Sequence, residues 1–223
     1  MQTSLKNLVL ILTGMFLISS CVTNTNGKKG KVTDVDGNVY ETVTIGAQNW
    51  MAENLKTTKY NDGSLIPNVA DTTWKSLKTG AYCWFNNDSA KNYGAFYNWH
   101  TVSAGKLCPT GWHVPSDKEW RNLTDYLGSE MVAGKEMKST SGWSKGGNGL
   151  NSSGFTALPA GYRSFKATFG SRNSGGYWWS SSTNGDNAWY CVMFSNEITA
   201  NKFYSHKESG FSVRCVENAV KPK

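Results

Sequence analysis

The second half of the chain consists of short aromatic runs that Gly, Ser and Asn separate. These runs are Phe155, Tyr162, Phe165, Phe169, Tyr177-Trp178-Trp179, Trp189-Tyr190, Phe194, Phe203-Tyr204 and Phe211. Aromatic residues favour strands, whereas Gly, Ser and Asn favour the turns between strands. We therefore expect short β-strands that long ordered loops connect.

The aromatic density belongs to the folded unit, since all 10 tryptophans lie between Trp50 and Trp189. Most of these rings are expected in the core, because large rings bury the most area per residue. Trp178 and Trp179 are the exception. Adjacent residues on a strand point to opposite faces, so at least one of the pair faces away from the main core. The outward ring either lies under a loop or forms a ligand-stacking surface.

A β-hairpin is predicted near the start of the domain. Residues 32–35 and 39–45 both read as strands, and Asp36-Gly37-Asn38 between them is typical of a tight turn. The same stretch superficially resembles a calcium loop. That loop needs Gly at its sixth position and a late Glu, whereas Gly37 is at the fourth position when Asp34 is counted as the first, so the turn is favoured.

Two helices are predicted after the middle of the chain. Ser116 and Glu119 form the sequence pattern of a capping box, and Gly128 supplies a stop signal. Between them an apolar stripe is formed by Trp120, Leu123 and Leu127. A second, weaker helix is expected over residues 130–138, although Gly134 costs it about 1 kcal/mol relative to Ala.

The positive charge is concentrated at the ends of the chain. The formal net charge is +7, from 23 Lys and Arg against 16 Asp and Glu. The cations outside residues 32–220 are Lys6, Lys28, Lys29, Lys31, Lys221 and Lys223. The segment between them therefore carries a net charge of only +1. Binding to nucleic acid requires cations clustered on a folded face, so this class of partner is not expected.

The N-terminus has the pattern of a lipoprotein signal peptide over residues 1–20. Lys6 precedes an apolar run at residues 8–18, which is too short to cross a bilayer but suits a secretory signal. Ile18-Ser19-Ser20-Cys21 resembles the bacterial lipobox, in which the cysteine thiol takes a diacylglycerol before cleavage. Cys21 is therefore the predicted lipid anchor. The alternative is an ordinary signal peptide with an incidental cysteine.

The rest of the chain divides into three parts. Residues 21–31 are expected to form a flexible tether, residues 32–218 a single domain and residues 219–223 a basic tail. Lys28, Lys29 and Lys31 could rest on anionic lipid headgroups near the anchor. The expected location is the bacterial cell envelope, on the outer membrane or the cell surface.

Four cysteines remain in the exported domain: Cys83, Cys108, Cys191 and Cys215. An even number outside the reducing cytoplasm favours disulfides, and four cysteines allow three pairings. Buried free thiols are the alternative. No C-x-x-C occurs, and the histidines do not stand near two cysteines at zinc-finger spacing, so no metal site is predicted.

A series of motifs then identifies the family. In chain order they are Asp36-Gly37-Asn38-Val39-Tyr40, Trp50-Met51-Ala52-Glu53-Asn54-Leu55, Tyr60-Asn61-Asp62-Gly63, Tyr93-Gly94-Ala95-Phe96-Tyr97-Asn98-Trp99, Cys108-Pro109-Thr110-Gly111-Trp112-His113-Val114-Pro115, Gly154-Phe155-Thr156-Ala157-Leu158-Pro159-Ala160-Gly161-Tyr162-Arg163, Trp178-Trp179-Ser180-Ser181-Ser182 and Gly210-Phe211-Ser212-Val213-Arg214-Cys215-Val216. From about residue 32 to residue 216 the chain resembles the Fibrobacter succinogenes major paralogous domain family. The resemblance implies an exported, often lipid-anchored domain of the α+β class. Its expected fold is similar to C-type lectins and formylglycine-generating enzymes, with short antiparallel strands, one or two helices and long ordered loops.

The resemblance also implies one disulfide. In the lectin-like fold a cysteine before the first helix pairs with one on the closing strand, and Cys108 and Cys215 match those positions. This bond would close a loop of about 107 residues and contribute roughly 4–5 kcal/mol in the chain-entropy model. Cys83 with Cys191 follows by elimination, or Cys83 is free.

The sequence predicts no catalytic residue and no cofactor. It contains no Walker loop or H-E-x-x-H pattern. His113, just before the predicted helix, is expected to be a packed ring that bonds backbone near a turn. The carboxylate-amide-proline loop and Trp-Asn-Asp strand of calcium-dependent lectins do not occur, so calcium-dependent sugar binding is not expected.

Three functional classes follow. The first is a non-catalytic lectin-like binding or adhesion module, whose ligand is a glycan or another envelope protein. The second is a structural or assembly lipoprotein without a soluble ligand. The third is an enzyme, which the lack of a clustered catalytic set disfavours. We expect the first class, with the membrane as a partner through the lipid.

Overall fold

A computed structural model describes residues 27, 29–88 and 93–219. The strands are β1 (Lys29–Thr33), β2 (Val39–Ile45), β3 (Gln48–Met51), β4 (Tyr82–Cys83), β5 (Phe96–Asn98), β6 (Trp112–His113), β7 (Tyr162–Arg163), β8 (Phe169–Gly170), β9 (Gly175–Asn184), β10 (Asn187–Phe194), β11 (Asn201–His206), β12 (Gly210–Phe211) and β13 (Val216–Glu217). The α-helices are α1 (Trp99–Ser103), α2 (Asp117–Tyr126) and α3 (Glu130–Met137), and short 3₁₀ helices span Thr72–Ser76 and Phe85–Asn87.

The strands form three antiparallel sheets. The first has the order β1-β2-β3-β13-β6, the second β11-β10-β9 and the third β4-β5-β12-β7-β8. The last strand, β13, pairs with β3 and β6, so the beginning and the end of the domain meet in one sheet. The architecture is therefore mostly antiparallel β-sheet with few helices.

The first hairpin is confirmed, with one change at its start. β1 and β2 pair antiparallel, and Thr33 lies opposite Val39 across the turn. β1 begins at Lys29, three residues before the expected start of the domain, because residues 29–31 pair with residues 41–43. The end of the expected tether is thus part of the sheet. Gly27 of the tether also donates its N–H to the Thr44 carbonyl at 3.1 Å. Residues 21–26 and 28 of the tether, and the leader before it, lie outside the described residues.

The hairpin turn has the hydrogen bonds of a closed turn and not of a calcium loop. One Asp34 carboxylate oxygen accepts from the backbone N–H groups of Asp36 and Asn38, at 3.0 and 2.9 Å. The other accepts from Asn38 Nδ2 at 2.9 Å and from the Tyr40 hydroxyl at 2.6 Å. Both oxygens are therefore occupied by protein donors, which confirms the turn.

Both predicted helices are present. In α2, the Ser116 side chain accepts from the Glu119 backbone and the Glu119 side chain accepts from the Ser116 backbone, so the capping box is complete. α3 tolerates Gly134 for a packing reason, since a Cβ atom there would lie 2.1 Å from the Thr199 carbonyl oxygen. α1 was not predicted. It is one short turn that the Asn98 side chain caps by accepting from the Thr101 backbone N–H.

The disulfide between Cys108 and Cys215 is confirmed. It joins the segment before β6 and α2 to the residue before β13, with a Cα–Cα distance of 6.0 Å. The pairing of Cys83 with Cys191 is wrong, because both cysteines are free and buried in different hydrophobic clusters. Burial raises the pKa of the Cys83 thiol to about 11 and raises that of Cys191 still further, so both thiols stay protonated.

Within the described ranges, no helix has the length and apolar character needed to cross a membrane. The core of the domain is divided between two large hydrophobic clusters and one small one. β9 lies between the two large clusters, since Trp179 belongs to the first and Trp178 to the second.

Candidate functional site

The two tryptophans predicted as ligand-stacking residues are both buried. Trp178 and Trp179 each have 0% exposed surface. The predicted alternation is correct, but both faces of the strand are covered. Trp179 packs on Phe211 with ring centroids 4.3 Å apart, and Trp178 packs edge-on against Phe155 at 6.2 Å. A stacking role for these two rings is therefore wrong, and a surface for ligand must be sought elsewhere.

Two residues earlier, the same strand carries Tyr177, which is 8% exposed. Because residues two apart on a strand share a face, Tyr177 lies on the same side as Trp179. It opens into a cleft of about 310 Å³. The ring-bearing residues of the cleft are Tyr162, Phe165, Tyr177, Tyr190, Phe194 and Phe211, and its serines are Ser164, Ser205 and Ser209. We call this surface the aromatic cleft.

The floor of the aromatic cleft is a set of mutually packed rings. Tyr177 and Phe211 are stacked, with an interplanar angle of 26° and centroids 5.5 Å apart. Tyr190 lies 4.6 Å from Phe211, and Tyr162 lies 4.9 Å from Tyr177. Trp179 supports this layer from below. The cleft therefore has an apolar floor that the core holds in place.

Three phenol hydroxyl groups converge in the aromatic cleft. Burial, together with the nearby phenols of Tyr177 and Tyr162, raises the pKa of Tyr190 to about 12. Burial also raises the pKa of Tyr177, against a hydrogen bond from its hydroxyl to Ser171 Oγ at 3.3 Å. The phenols of Tyr177 and Tyr190 therefore stay neutral at physiological pH. Within the described part of the chain, the hydroxyls of Tyr162 and Tyr190 make no hydrogen bond, so they are available to a ligand.

The serines complete a polar wall. Ser205 Oγ and Ser209 Oγ lie 2.9 Å apart, and Ser164 Oγ lies 2.7 Å from Thr168 Oγ1. Each hydroxyl is both a donor and an acceptor. None of the residues lining the aromatic cleft carries a charge at neutral pH. The site is therefore suited to an uncharged ligand that combines apolar surface with hydroxyl groups.

The loop that carries one wall of the cleft is fixed by a buried arginine. Arg163 is 1% exposed, and its guanidinium donates to the backbone carbonyls of Val69, Ala70 and Asp71 at 2.6 to 3.1 Å. Its neighbour Tyr162 points the other way on β7, into the cleft. At the tip of the β7–β8 hairpin, Phe165 is 37% exposed and lies at the rim.

A second polar cluster lies at the start of α2. His113 Nε2 lies 2.8 Å from Glu119 Oε1, and His113 Nδ1 lies 2.6 Å from Asn218 Oδ1. His113 therefore contacts two side chains and not the backbone that was expected. The hydrogen bond with Glu119 raises the pKa of His113 despite the opposite effect of burial. Burial raises the pKa of Glu119, but the bonds from His113 and Ser116 outweigh it and lower that pKa to about 2.

This second cluster holds the fold together. The Ser116 hydroxyl is bonded to the other Glu119 oxygen at 2.7 Å and caps the helix, so it is not paired with His113 as a nucleophile would be. The cluster joins β6, α2 and the end of the chain. In the ranges that the structure describes, no group of three or more His, Cys, Asp or Glu residues is arranged to hold a metal ion.

Sequence reasoning missed the tyrosines of the aromatic cleft and chose the tryptophans beside one of them. The sequence contained one signal for Tyr177, because residues two apart on a strand share a face and Tyr177 therefore lies on the same face as Trp179. The depth of each ring depends on which loops and helices cover the strand, and Tyr190 reaches the cleft only because β10 pairs it with Trp179 next to a register shift.

The comparisons with known proteins identify a family. The model of the Fibrobacter succinogenes major domain matches residues 43–217, which is most of the chain. No curated protein and no solved structure matches the chain significantly.

Proposed function

The chain belongs to the Fibrobacter succinogenes major domain family, and we propose that it is a cell-envelope lipoprotein whose domain binds a glycan, without catalysis, in the aromatic cleft. The observation that carries this proposal is the combination of a packed ring floor with unoccupied phenol hydroxyls. A sugar ring has an apolar C–H face and hydroxyl edges, so it complements a surface of this kind. Pockets for small ligands are in general mostly apolar with a few well-placed polar groups.

We further propose that the fold is C-type-lectin-like. Two features support this. The Cys108–Cys215 bond joins the segment before α2 to the closing strand. β13 also returns to pair with β3, near the start of the domain. The first feature matches what the family resemblance leads us to expect of a lectin-like domain, and the second brings the start and the end of the domain together.

The location at the envelope is proposed from the leader. Cys21 follows an apolar run and two small residues, as in a lipobox, and it lies outside the described residues. Two or three acyl chains would anchor the protein stably, where one chain would be marginal. Cys21→Ala should move the protein from the membrane fraction to the soluble exported fraction. If Cys21→Ala remained in the membrane fraction, Cys21 would not be the lipid anchor.

Non-catalytic binding is supported by the chemistry of the cleft. A general base or nucleophile needs an ionisable or activated group within hydrogen-bond reach of the reacting atom. The lining of the aromatic cleft consists of phenols, phenyl rings and serine hydroxyls, and these serines bond other hydroxyls. Turnover of a glycan by the purified protein would overturn this part of the proposal.

Glycan binding is tested with one variant inside the cleft and one outside. The wild-type protein should be retained on a glycan array or on envelope polysaccharide, and Tyr190→Ala should lose that retention. The matched control is Tyr204→Ala. Tyr204 is 55% exposed and packs against Trp189, on the sheet face opposite Tyr190. Equal loss in both variants would argue against the cleft as the binding site.

One observation favours the assembly alternative. β11 is at an edge of its sheet, and it carries two exposed rings, Phe203 at 50% and Tyr204 at 55%. An exposed edge strand is a template for pairing with another chain. If the protein has this role, it should co-purify with other envelope proteins and show no affinity for soluble glycans, and Phe203→Lys should reduce the co-purification.

A further inference from the structure

We propose that the aromatic cleft selects an uncharged sugar, which packs on the half-buried rings of Tyr162, Tyr190 and Phe194 and exchanges hydrogen bonds with the hydroxyls of Tyr162 and Tyr190. This inference rests on the proposed glycan-binding function and narrows its ligand class. It excludes uronic acids and sulfated sugars as the preferred ligands.

The first argument is the charge of the lining. The cleft walls consist of phenylalanine, tyrosine and serine side chains, and none of these is ionised at neutral pH. An anionic group placed there would lose water without gaining a counterion, and burying an unpaired charge is strongly unfavourable. A neutral sugar loses only water that hydroxyl groups can replace.

The second argument is the arrangement of hydroxyl groups. The phenols of Tyr162, Tyr177 and Tyr190 are close enough to interact electrostatically. Only the Tyr177 hydroxyl has a protein partner in the described part of the chain, Ser171 Oγ at 3.3 Å. The other two hydroxyls can each donate and accept, which is what a sugar hydroxyl requires of its partner.

The third argument is the shape of the floor. The Tyr177 and Phe211 rings are stacked on each other and are only 8% and 3% exposed, so they form the buried base of the cleft. The half-buried rings of Tyr162, Tyr190 and Phe194 offer the apolar surface on which a pyranose can pack. The cleft volume of about 310 Å³ lies at the lower end of the usual range for small-molecule pockets. It therefore suits a single sugar residue or the end of a glycan chain.

A lysine beside the rim, Lys166, allows the preference for neutral or acidic sugars to be tested. Its Nζ lies 5.7 Å from the centre of the Phe165 ring, on the same hairpin loop. An acidic sugar would have to use a cation of this kind, whereas a neutral sugar would not. Lys166→Gln therefore separates the two ligand classes without altering the floor.

The experiment measures binding of two probe sets to the full-length lipoprotein in detergent by isothermal titration calorimetry. The probes are neutral gluco-, manno- and xylo-oligosaccharides and, as the acidic set, oligogalacturonates. We expect a neutral probe to bind with an affinity that added salt does not change. Tyr162→Phe and Tyr190→Phe should each weaken that binding about three- to tenfold, because each removes one hydrogen bond. Tyr204→Phe and Lys166→Gln should bind as the wild type does.

The Phe variants keep the rings, and the hydroxyls that they remove make no hydrogen bond within the described residues, so their thermal unfolding should match the wild type. Preferential binding of the acidic probes, lost in Lys166→Gln, would overturn the inference and leave the proposed function intact. Neutral binding that neither Phe variant weakens would also overturn it. If neither probe set binds, the proposed function fails together with the inference.

Discussion

Two groups of aromatic rings lie on opposite sides of β9 and differ in their access to solvent. The sealed cluster, formed by Trp50, Trp120, Phe155 and Trp178, is closed to solvent, with neighbouring ring centroids 5.0 to 6.2 Å apart. The open stack, formed by Tyr162, Tyr177, Tyr190 and Phe211, has similar spacings but lines the aromatic cleft. Ring density alone therefore does not locate a binding surface.

Two tryptophans of the sealed cluster and two tyrosines of the open stack differ in where their polar atoms lie. In the sealed cluster, Trp178 Nε1 donates to Asn54 Oδ1 at 2.8 Å, and Trp120 Nε1 donates to the Trp179 carbonyl at 3.4 Å. An indole N–H can be satisfied inside the protein, so the whole ring can be buried. The phenols of Tyr162 and Tyr190 instead keep their hydroxyls toward the cleft. Among the described residues, Trp50 Nε1 in the sealed cluster also lacks a partner but is buried, so a polar tip without an internal partner indicates a ligand surface only where solvent reaches it.

The largest effect is expected in the sealed cluster. Trp178→Ala should lower the free energy of unfolding by about 3–5 kcal/mol, because it removes a fully buried ring and leaves a cavity that the neighbours cannot fill. Urea denaturation followed by circular dichroism measures this loss. Tyr204→Ala, an exposed ring outside both groups, should stay within about 0.5 kcal/mol of the wild type. A loss below about 1 kcal/mol in Trp178→Ala would mean that the cluster is not sealed.

The next largest effect concerns the disulfide, which belongs to the same hydrophobic cluster as Tyr177 and Phe211. Removing both cysteines, as Cys108→Ala with Cys215→Ala, should lower the free energy of unfolding by about 2–4 kcal/mol, since the bond constrains the unfolded chain. The same denaturation experiment measures it. A reducing agent should destabilise the wild type and leave this variant unchanged. If the reducing agent destabilises both proteins equally, its effect on stability would not come from the Cys108–Cys215 bond.

The local elements were predictable from sequence, because their signals lie within a few residues. The capping box of Ser116 and Glu119 fixes the start of α2, and Gly37 fixes the first turn. The five-residue helix α1 was missed since so short a segment has no periodicity to read. β1 also begins earlier than expected, because lysines on an exposed strand look like a linker in sequence.

The long-range features were not predictable from the residues. Strand alternation placed Trp178 and Trp179 on opposite faces, but whether a face is covered depends on helices and loops far away in sequence. Elimination failed for Cys83 and Cys191, because pairing requires proximity and the two lie in separate clusters. Tyr190 enters the cleft through a strand register that no local motif specifies.

A matched pair of phenylalanines separates stability from binding. Phe211→Leu and Phe155→Leu each shorten a buried ring, one under the cleft and one in the sealed cluster, and each should cost about 1–1.5 kcal/mol. Only Phe211→Leu should also weaken glycan binding, by about tenfold, because it disturbs the floor. Calorimetric titration and urea denaturation measure the two quantities. Equal loss of binding in both variants would remove the distinction between the two groups.

The smallest effect is a dependence of stability on pH, and it arises beside the sealed cluster. The bond with Glu119 raises the pKa of His113 above its ordinary value of about 6.5, so the folded state binds the proton more tightly than the unfolded state. This stabilisation is fully present below the unfolded pKa and is lost as the pH rises through the folded pKa. Glu119 remains ionised throughout, because its pKa is about 2.

His113→Gln should therefore destabilise the protein at about pH 5 and have less effect at about pH 9. The difference between these two effects should stay below about 1 kcal/mol, because the His113 side chain is 38% exposed and solvent screens the pair. Thermal unfolding at both pH values measures it, with His206→Gln as the control. If the pH dependence of stability persists in His113→Gln, another group must be responsible for it. The hydrogen bond between His113 and Glu119 would then not be its cause.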